Sequence, residues 1–105
     1  MKVYHLTKAE YAKPILAEGF RESTGSYYTS TPHTGVWVSD RPLDTECGFG
    51  VRGVVCLDVE IPEEQLAHHE WIEGGKTYRE WLLPAALINT YPVRELPEDE
   101  FLELF

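Results

Sequence analysis

Three residues far apart in this chain carry side chains that could act together on a nucleotide. His5 lies in Tyr4-His5-Leu6-Thr7, Trp37 in Gly35-Val36-Trp37-Val38-Ser39-Asp40, and Glu80 in Arg79-Glu80-Trp81-Leu82-Leu83. Each sits inside a short apolar run that reads as a strand. An imidazole can hold a ribose hydroxyl, an indole can stack on a planar heterocycle, and a carboxylate can stabilise a developing cation. Placed on neighbouring strands, the three would supply what cleavage of the glycosidic bond of a nicotinamide nucleotide requires. Each also has a plainer reading. His5 is an ordinary half-buried strand histidine, Trp37 is packing between Val36 and Val38, and Glu80 is a solvated charge beside Arg79. Their joint occurrence, each with its own local string, is what lifts the chemical reading.

The elements that must position them can be read along the chain. Residues 2–6 alternate Val3 and His5 against Lys2, Tyr4 and Leu6, a first strand. Thr7 with Glu10 three residues on forms a capping box, and the helix it opens is expected to run to about Glu18. Tyr11, Ala12, Ile15, Leu16 and Phe20 give that helix an apolar face, and Gly19 suits the turn out of it. Pro14 is expected to kink or shorten it. Residues 21–34 are polar and small and read as a loop near the site, with Tyr27-Tyr28 a short strand or a lid.

A second strand covers residues 35–39. Asp44 or Thr45 could cap a short helical turn, and Gly48-Phe49-Gly50 is a corner. Residues 51–60 are a strong strand, rich in Val. Residues 62–69 read as a short helix or turn with Pro62 at its first position. Gly74-Gly75 is a turn, and residues 77–83 and 85–92 are two more strands. The tail, residues 97–105, mixes acidic and large apolar side chains; it reads as a closing helical turn, or more sharply as a partner-binding segment. The whole is a single domain, 1–105, of α+β class, with a small split or mixed β-sheet and one N-terminal helix.

Composition limits the partners. The chain has 105 residues, 43% of them hydrophobic, enough for one modest core. The net charge is −9, from 18 acidic and 9 basic residues, which disfavours nucleic acid and anionic lipid as bulk partners. Two cysteines, Cys47 and Cys56, make no disulfide framework, and no Cys/His spacing resembles a metal site. No apolar run approaches membrane length and the start carries no signal-peptide pattern, so a soluble, cytoplasmic protein with no membrane partner is expected.

The three strings resemble those of the ADP-ribosyltransferases, in the diphtheria-toxin and poly(ADP-ribose)-polymerase branch with a His–Tyr–Glu triad on a split sheet. His5-Leu6-Thr7 is similar to that branch's His-Gly-Ser/Thr. Ile15-Leu16-Ala17-Glu18-Gly19-Phe20 is similar to its Ile-Leu-x-x-Gly-Phe/Leu helix end, and Gly35 to Asp40 to its Gly-Ile/Val-Tyr-Phe-Ala/Ser-Asp. Glu80-Trp81-Leu82-Leu83 is similar to its Glu-Tyr-x-Val strand. The likeness covers most of the chain, His5 to Leu83. Leu6 stands where the branch has glycine and Trp37 where it has tyrosine, which makes the triad here His-Trp-Glu.

The resemblance implies an ADP-ribosyltransferase-like domain that uses NAD as substrate, transferring ADP-ribose to an acceptor the sequence does not name, or hydrolysing NAD. It implies that His5 bonds the 2′-hydroxyl of the nicotinamide-side ribose, that the backbone of Leu6 faces the nicotinamide amide, that Thr7 belongs to the NAD-binding residues, that Trp37 stacks on the nicotinamide ring and that Glu80 is the catalytic carboxylate. Thr45 falls where the branch bonds the nicotinamide amide, and Phe49 is the nearest second stacking aromatic. Arg21, Arg41 and Arg52 are the candidate pyrophosphate donors, with Arg41 nearest the motif. Other readings compete: a non-catalytic nucleotide- or ADP-ribosyl-binding module, an acidic domain that binds a protein through its C-terminal tail, and an RNA 2′-phosphotransferase-like enzyme on the same fold. Carboxylate acid–base hydrolysis and a Cys47 nucleophile are weaker still.

Overall fold

The computed structural model describes residues 1–25, 33–41, 54–72, 74–75, 77–97 and 99–100. Their strands are β1 (Lys2–Lys8), β2 (Ser23–Gly25), β3 (His33–Ser39), β4 (Val54–Glu60), β5 (Glu70–Trp71), β6 (Glu80–Leu83) and β7 (Val93–Glu95). Helices α1 (Ala9–Glu18), α2 (Glu63–Leu66) and α3 (Ala85–Ile88) lie between them, with a 3₁₀ turn (Ala67–His69) after α2. The strands hydrogen-bond in the order β5-β6-β3-β1-β4-β7, with β2 added to the first half of β3. Every described pairing is antiparallel, so the α+β class holds and the sheet is not mixed.

Alternation divides the strands' side chains between two faces. Val3, Val36, Val38, Leu57, Val59, Trp81 and Leu83 meet Ala12 and Phe20 with Ile61, Leu66 and Ile88, and these make the main core. On the other face Tyr4, Cys56 and Leu96 form a small second cluster with Leu6 against it. There the Arg94 Nε donates to buried Asp58 at 3.0 Å, and its Nη2 reaches Glu100 at 2.8 Å.

Several expectations need correction. Thr7 does not cap α1. It stays in β1, paired with Val55, and Lys8 in extended conformation precedes the helix without a side-chain cap. The strand ladder with β4 competes for this stretch and wins over one capping hydrogen bond. Of the two effects expected of Pro14, shortening does not occur: α1 continues to Glu18, the expected end. Residues 85–92 are not a strand: Pro84 precedes helix α3, and Asn89 and Thr90 turn the chain out of it. An unbroken run such as Ala85-Ala86-Leu87-Ile88 has no period that separates strand from helix. The strand expected over residues 77–83 is β6 alone, while Arg79 exchanges backbone N–H and C=O with Asp40 instead of a strand partner, its N–H going to the Asp40 carboxylate. Pro62 precedes α2 and is not its first residue. The polar stretch 21–34 contains β2, and β5 and β7 were not anticipated. Besides the expected N-terminal helix α1, the described residues include the short helix α2 in the expected 62–69 stretch, and α3.

The Gly74-Gly75 turn is present, and Asp99 and Glu100 are helical, as expected of the tail. Tyr27-Tyr28, the cap at Asp44 or Thr45, the Gly48-Phe49-Gly50 corner, residues 51–53 and residues 101–105 lie outside the described residues. Among the described residues no helix is long and apolar enough to cross a membrane.

Candidate functional site

The sheet parts between β1 and β3. β1 pairs with β4 along all seven of its residues, from Lys2↔Glu60 to Lys8↔Val54, but meets β3 at Tyr4↔Ser39 alone. Beyond that pair the two strands lose ladder contact, and the His5 side chain crosses the gap. Its Nδ1 stands 2.8 Å from the Trp37 carbonyl oxygen. A carbonyl only accepts, so the proton is on Nδ1 and Nε2 is left as an acceptor. The Phe20 ring meets the imidazole edge to face, with centroids 5.3 Å apart and planes at 90°. Burial lowers the imidazole pKa from 6.5, and the hydrogen bond to Trp37 opposes that only in part, so the ring is neutral at pH 7.

A cavity of about 510 Å³ opens beside this split, within the range of small-ligand sites. His5 and Thr7 line it from β1, Tyr11, Pro14 and Ile15 from α1, Phe20, Arg21 and Glu22 from the turn after α1, and Gly35, Val36 and Trp37 from β3. Pro14 thus has a place: its ring forms wall where a helical N–H would have been. Gly19 takes φ +97°, and a Cβ there would come within 2.9 Å of the Asn89 side chain. Glycine is therefore needed both for the turn and for the close approach. The Asn89 amide binds the Phe20 backbone twice. Phe20 N–H donates to Oδ1 at 2.7 Å and Nδ2 donates to the Phe20 carbonyl at 2.9 Å. Glu22 accepts the Ala85 N–H at 3.0 Å.

The sequence-derived residues do not all meet here. His5, Thr7 and Trp37 line the cavity. The Leu6 side chain is not part of its wall and packs on the Tyr4–Cys56–Leu96 cluster, which leaves the expectation for its backbone untouched. Glu80 is 3% exposed, so it is not a solvated charge, and it is not part of the cavity wall. Its register opposite Ser39, with Trp37 opposite Leu82, puts Glu80 and Trp37 on one face of the sheet as diagonal neighbours. His5 follows Tyr4, the partner of Ser39, and leaves β1 on the opposite face. Trp71, opposite Glu80, meets the Trp37 indole edge-on at 5.5 Å. Trp37 is therefore linked to both groups, by its backbone carbonyl to the imidazole and by its indole, on the face opposite His5, to the side of the sheet that carries Glu80; the imidazole and the carboxylate do not share one described hollow.

The cationic candidates divide as well. Arg21 lines the cavity, with its side chain 86% exposed and 3.4 Å from Glu18, a surface pair worth under about 1 kcal/mol that an anion could displace. The Arg41 guanidinium donates to the Thr77 carbonyl, away from the cavity. Arg52, Thr45, Phe49 and Cys47 lie outside the described residues. Cys56 is fully buried and its thiol is pushed up to about 12, by burial first and then by Asp58, which makes it inert. Among the described residues no group of three His, Cys, Asp or Glu could hold a metal ion.

Sequence reasoning missed Asn89, Trp71 and the Asp40–Arg79–Glu70 network, in which Arg79 binds Glu70 through Nε at 3.1 Å and Nη2 at 2.8 Å. Asn89 closing an apolar run was a usable helix-end signal; its long-range bond to Phe20 had none. Comparison with family models, curated proteins and solved structures finds no match to this chain.

Proposed function

We propose that this chain is an ADP-ribosyltransferase-like domain that takes NAD or a related nucleotide into the cleft where β1 and β3 part. The observation that carries this is the His5 imidazole, held through Nδ1 on the Trp37 carbonyl at the wall of a cavity of about 510 Å³. Fixed in that way, Nε2 can accept a hydrogen bond from a ribose hydroxyl. Thr7 adds a hydroxyl beside it, apolar and aromatic walls suit a heterocycle, and the exposed Arg21 guanidinium at the rim suits a phosphate. On a chain of net charge −9 that last contact is local, and binding should weaken as salt rises.

Cleavage of the nicotinamide–ribose bond passes through an oxocarbenium-like state. A carboxylate facing the ribose would stabilise it by about 3–4 kcal/mol, as other preorganised groups do. Glu80 is the candidate, acting with NAD as substrate in transfer to an acceptor or in hydrolysis. Its burial on the face opposite His5 favours a second reading, a module that binds the nucleotide without cleaving it. Incubation with NAD, measuring bound nucleotide and free nicotinamide for wild type and Glu80→Gln, separates the two. Catalysis predicts nicotinamide release that falls at least about 100-fold in the variant. A binding module predicts saturable NAD binding with no release from either protein. Absence of saturable binding overturns both.

A further inference from the structure

We propose that Asn89, in the turn that ends α3, is a positioning residue for the His5 imidazole, acting through Phe20. Asn89 is 69 residues from Phe20 in sequence, and both polar atoms of its amide are engaged by that one residue's backbone. The pairing copies a strand ladder with a side chain in place of a strand. It fixes where the Phe20 ring stands, and the edge-to-face contact passes that position to His5. Gly19 leaves room for the amide, and the Glu22 bond to Ala85 N–H ties the same turn to the start of α3.

The arrangement is directional. α3 follows β6 through Pro84 with no intervening loop, so it is held by a strand paired with β3. One end of the imidazole is anchored to β3 through Trp37, and its flank is anchored to α3 through Phe20. Both walls of the cleft are thereby referred to the same pair of strands. Loosening the amide should let Phe20 move off the imidazole, admit water to the ring and raise its pKa toward the ordinary value. Thr90, next in the chain, donates its hydroxyl to the Leu87 carbonyl within its own turn and gives a matched control.

The consequence for ligand rests on the nucleotide reading above; the effect on His5 does not. NMR titration of the His5 imidazole and calorimetric titration with NAD are made on wild type, Asn89→Ala and Thr90→Val. In Asn89→Ala the His5 titration is expected to move up by at least about half a pH unit. NAD is expected to bind at least about fivefold more weakly. Thr90→Val should match wild type in both. Unchanged His5 titration in Asn89→Ala overturns the proposal, whatever its thermal stability. Should Asn89→Ala not fold, Asn89→Ser, whose single hydroxyl cannot span both Phe20 groups, takes the same test with the same criterion. If no form binds NAD yet the His5 titration moves, the positioning role stands and the nucleotide reading falls.

Discussion

The two edges of β1 behave differently. Toward β4 the strand is zipped along its length, over a floor of Val3, Leu57 and Val59, and β7 extends the ladder further. Toward β3 it makes a single paired contact, and a histidine side chain bridges what the backbone leaves apart. The closed edge buries apolar area and satisfies backbone groups, which is where stability comes from. The open edge gives up ladder bonds, and a cavity with a neutral imidazole on its wall takes their place. One strand thus serves as scaffold on one side and as site on the other, and substitutions on the two sides should separate stability from binding.

The largest effect is expected on the closed edge. Leu57 is fully buried there, opposite His5 on β1 and Glu95 on β7. Leu57→Ala should cost about 2–5 kcal/mol in denaturant unfolding. A cost under about 1 kcal/mol would mean that the zipped edge is not where the fold is held.

Next in size is the response to pH, which has opposite signs on the two edges. On the closed edge burial raises Cys56 from 9.0 to about 12 and also raises Tyr4 above 10.0. The unfolded chain ionises first, so this stability is whole below pH 9 and is lost as pH rises, at up to about 1.4 kcal/mol per unit for the thiol. On the open edge burial lowers His5 below 6.5. The unfolded chain then binds its proton first, so this stability is whole above pH 6.5 and falls as the solution is acidified toward the folded value. Thermal melts across pH should show the alkaline loss removed by Cys56→Ala and the part of the acid loss due to His5 removed by His5→Ala. An alkaline loss unchanged in Cys56→Ala would contradict the assignment.

The strands β1 and β4 of the closed edge were legible in the sequence, though not their pairing or β7, and the open edge was legible only in fragments. Val3, Val54, Val55 and Val59 announce strands through type and alternation, and the apolar face with Ala12 and Ile15 announces α1, because burial acts residue by residue along one element. His5 and Trp37 could be singled out by side-chain chemistry, but the imidazole reaches only the Trp37 backbone carbonyl, and the indole lies on the other face of the sheet. Glu80 could be named and placed on a strand, but its face follows from the register Ser39↔Glu80 and Tyr4↔Ser39, which no single segment carries. Arg41 is near the motif in sequence, whereas its partner, the Thr77 carbonyl, is 36 residues away. Thr7 satisfied a local capping rule and was taken by a non-local ladder instead. What failed in each case was pairing between distant segments.

The cleft at the open edge of β1 is proposed as a nucleotide site in which His5 takes part. Calorimetric titration of NAD into wild type and His5→Ala, with circular dichroism to establish that both are folded, tests it most directly. Saturable binding to wild type that weakens at least about tenfold in the variant is the predicted result, about 1.4 kcal/mol for a lost hydrogen bond. No saturable binding to wild type, or equal affinity in folded His5→Ala, would contradict it.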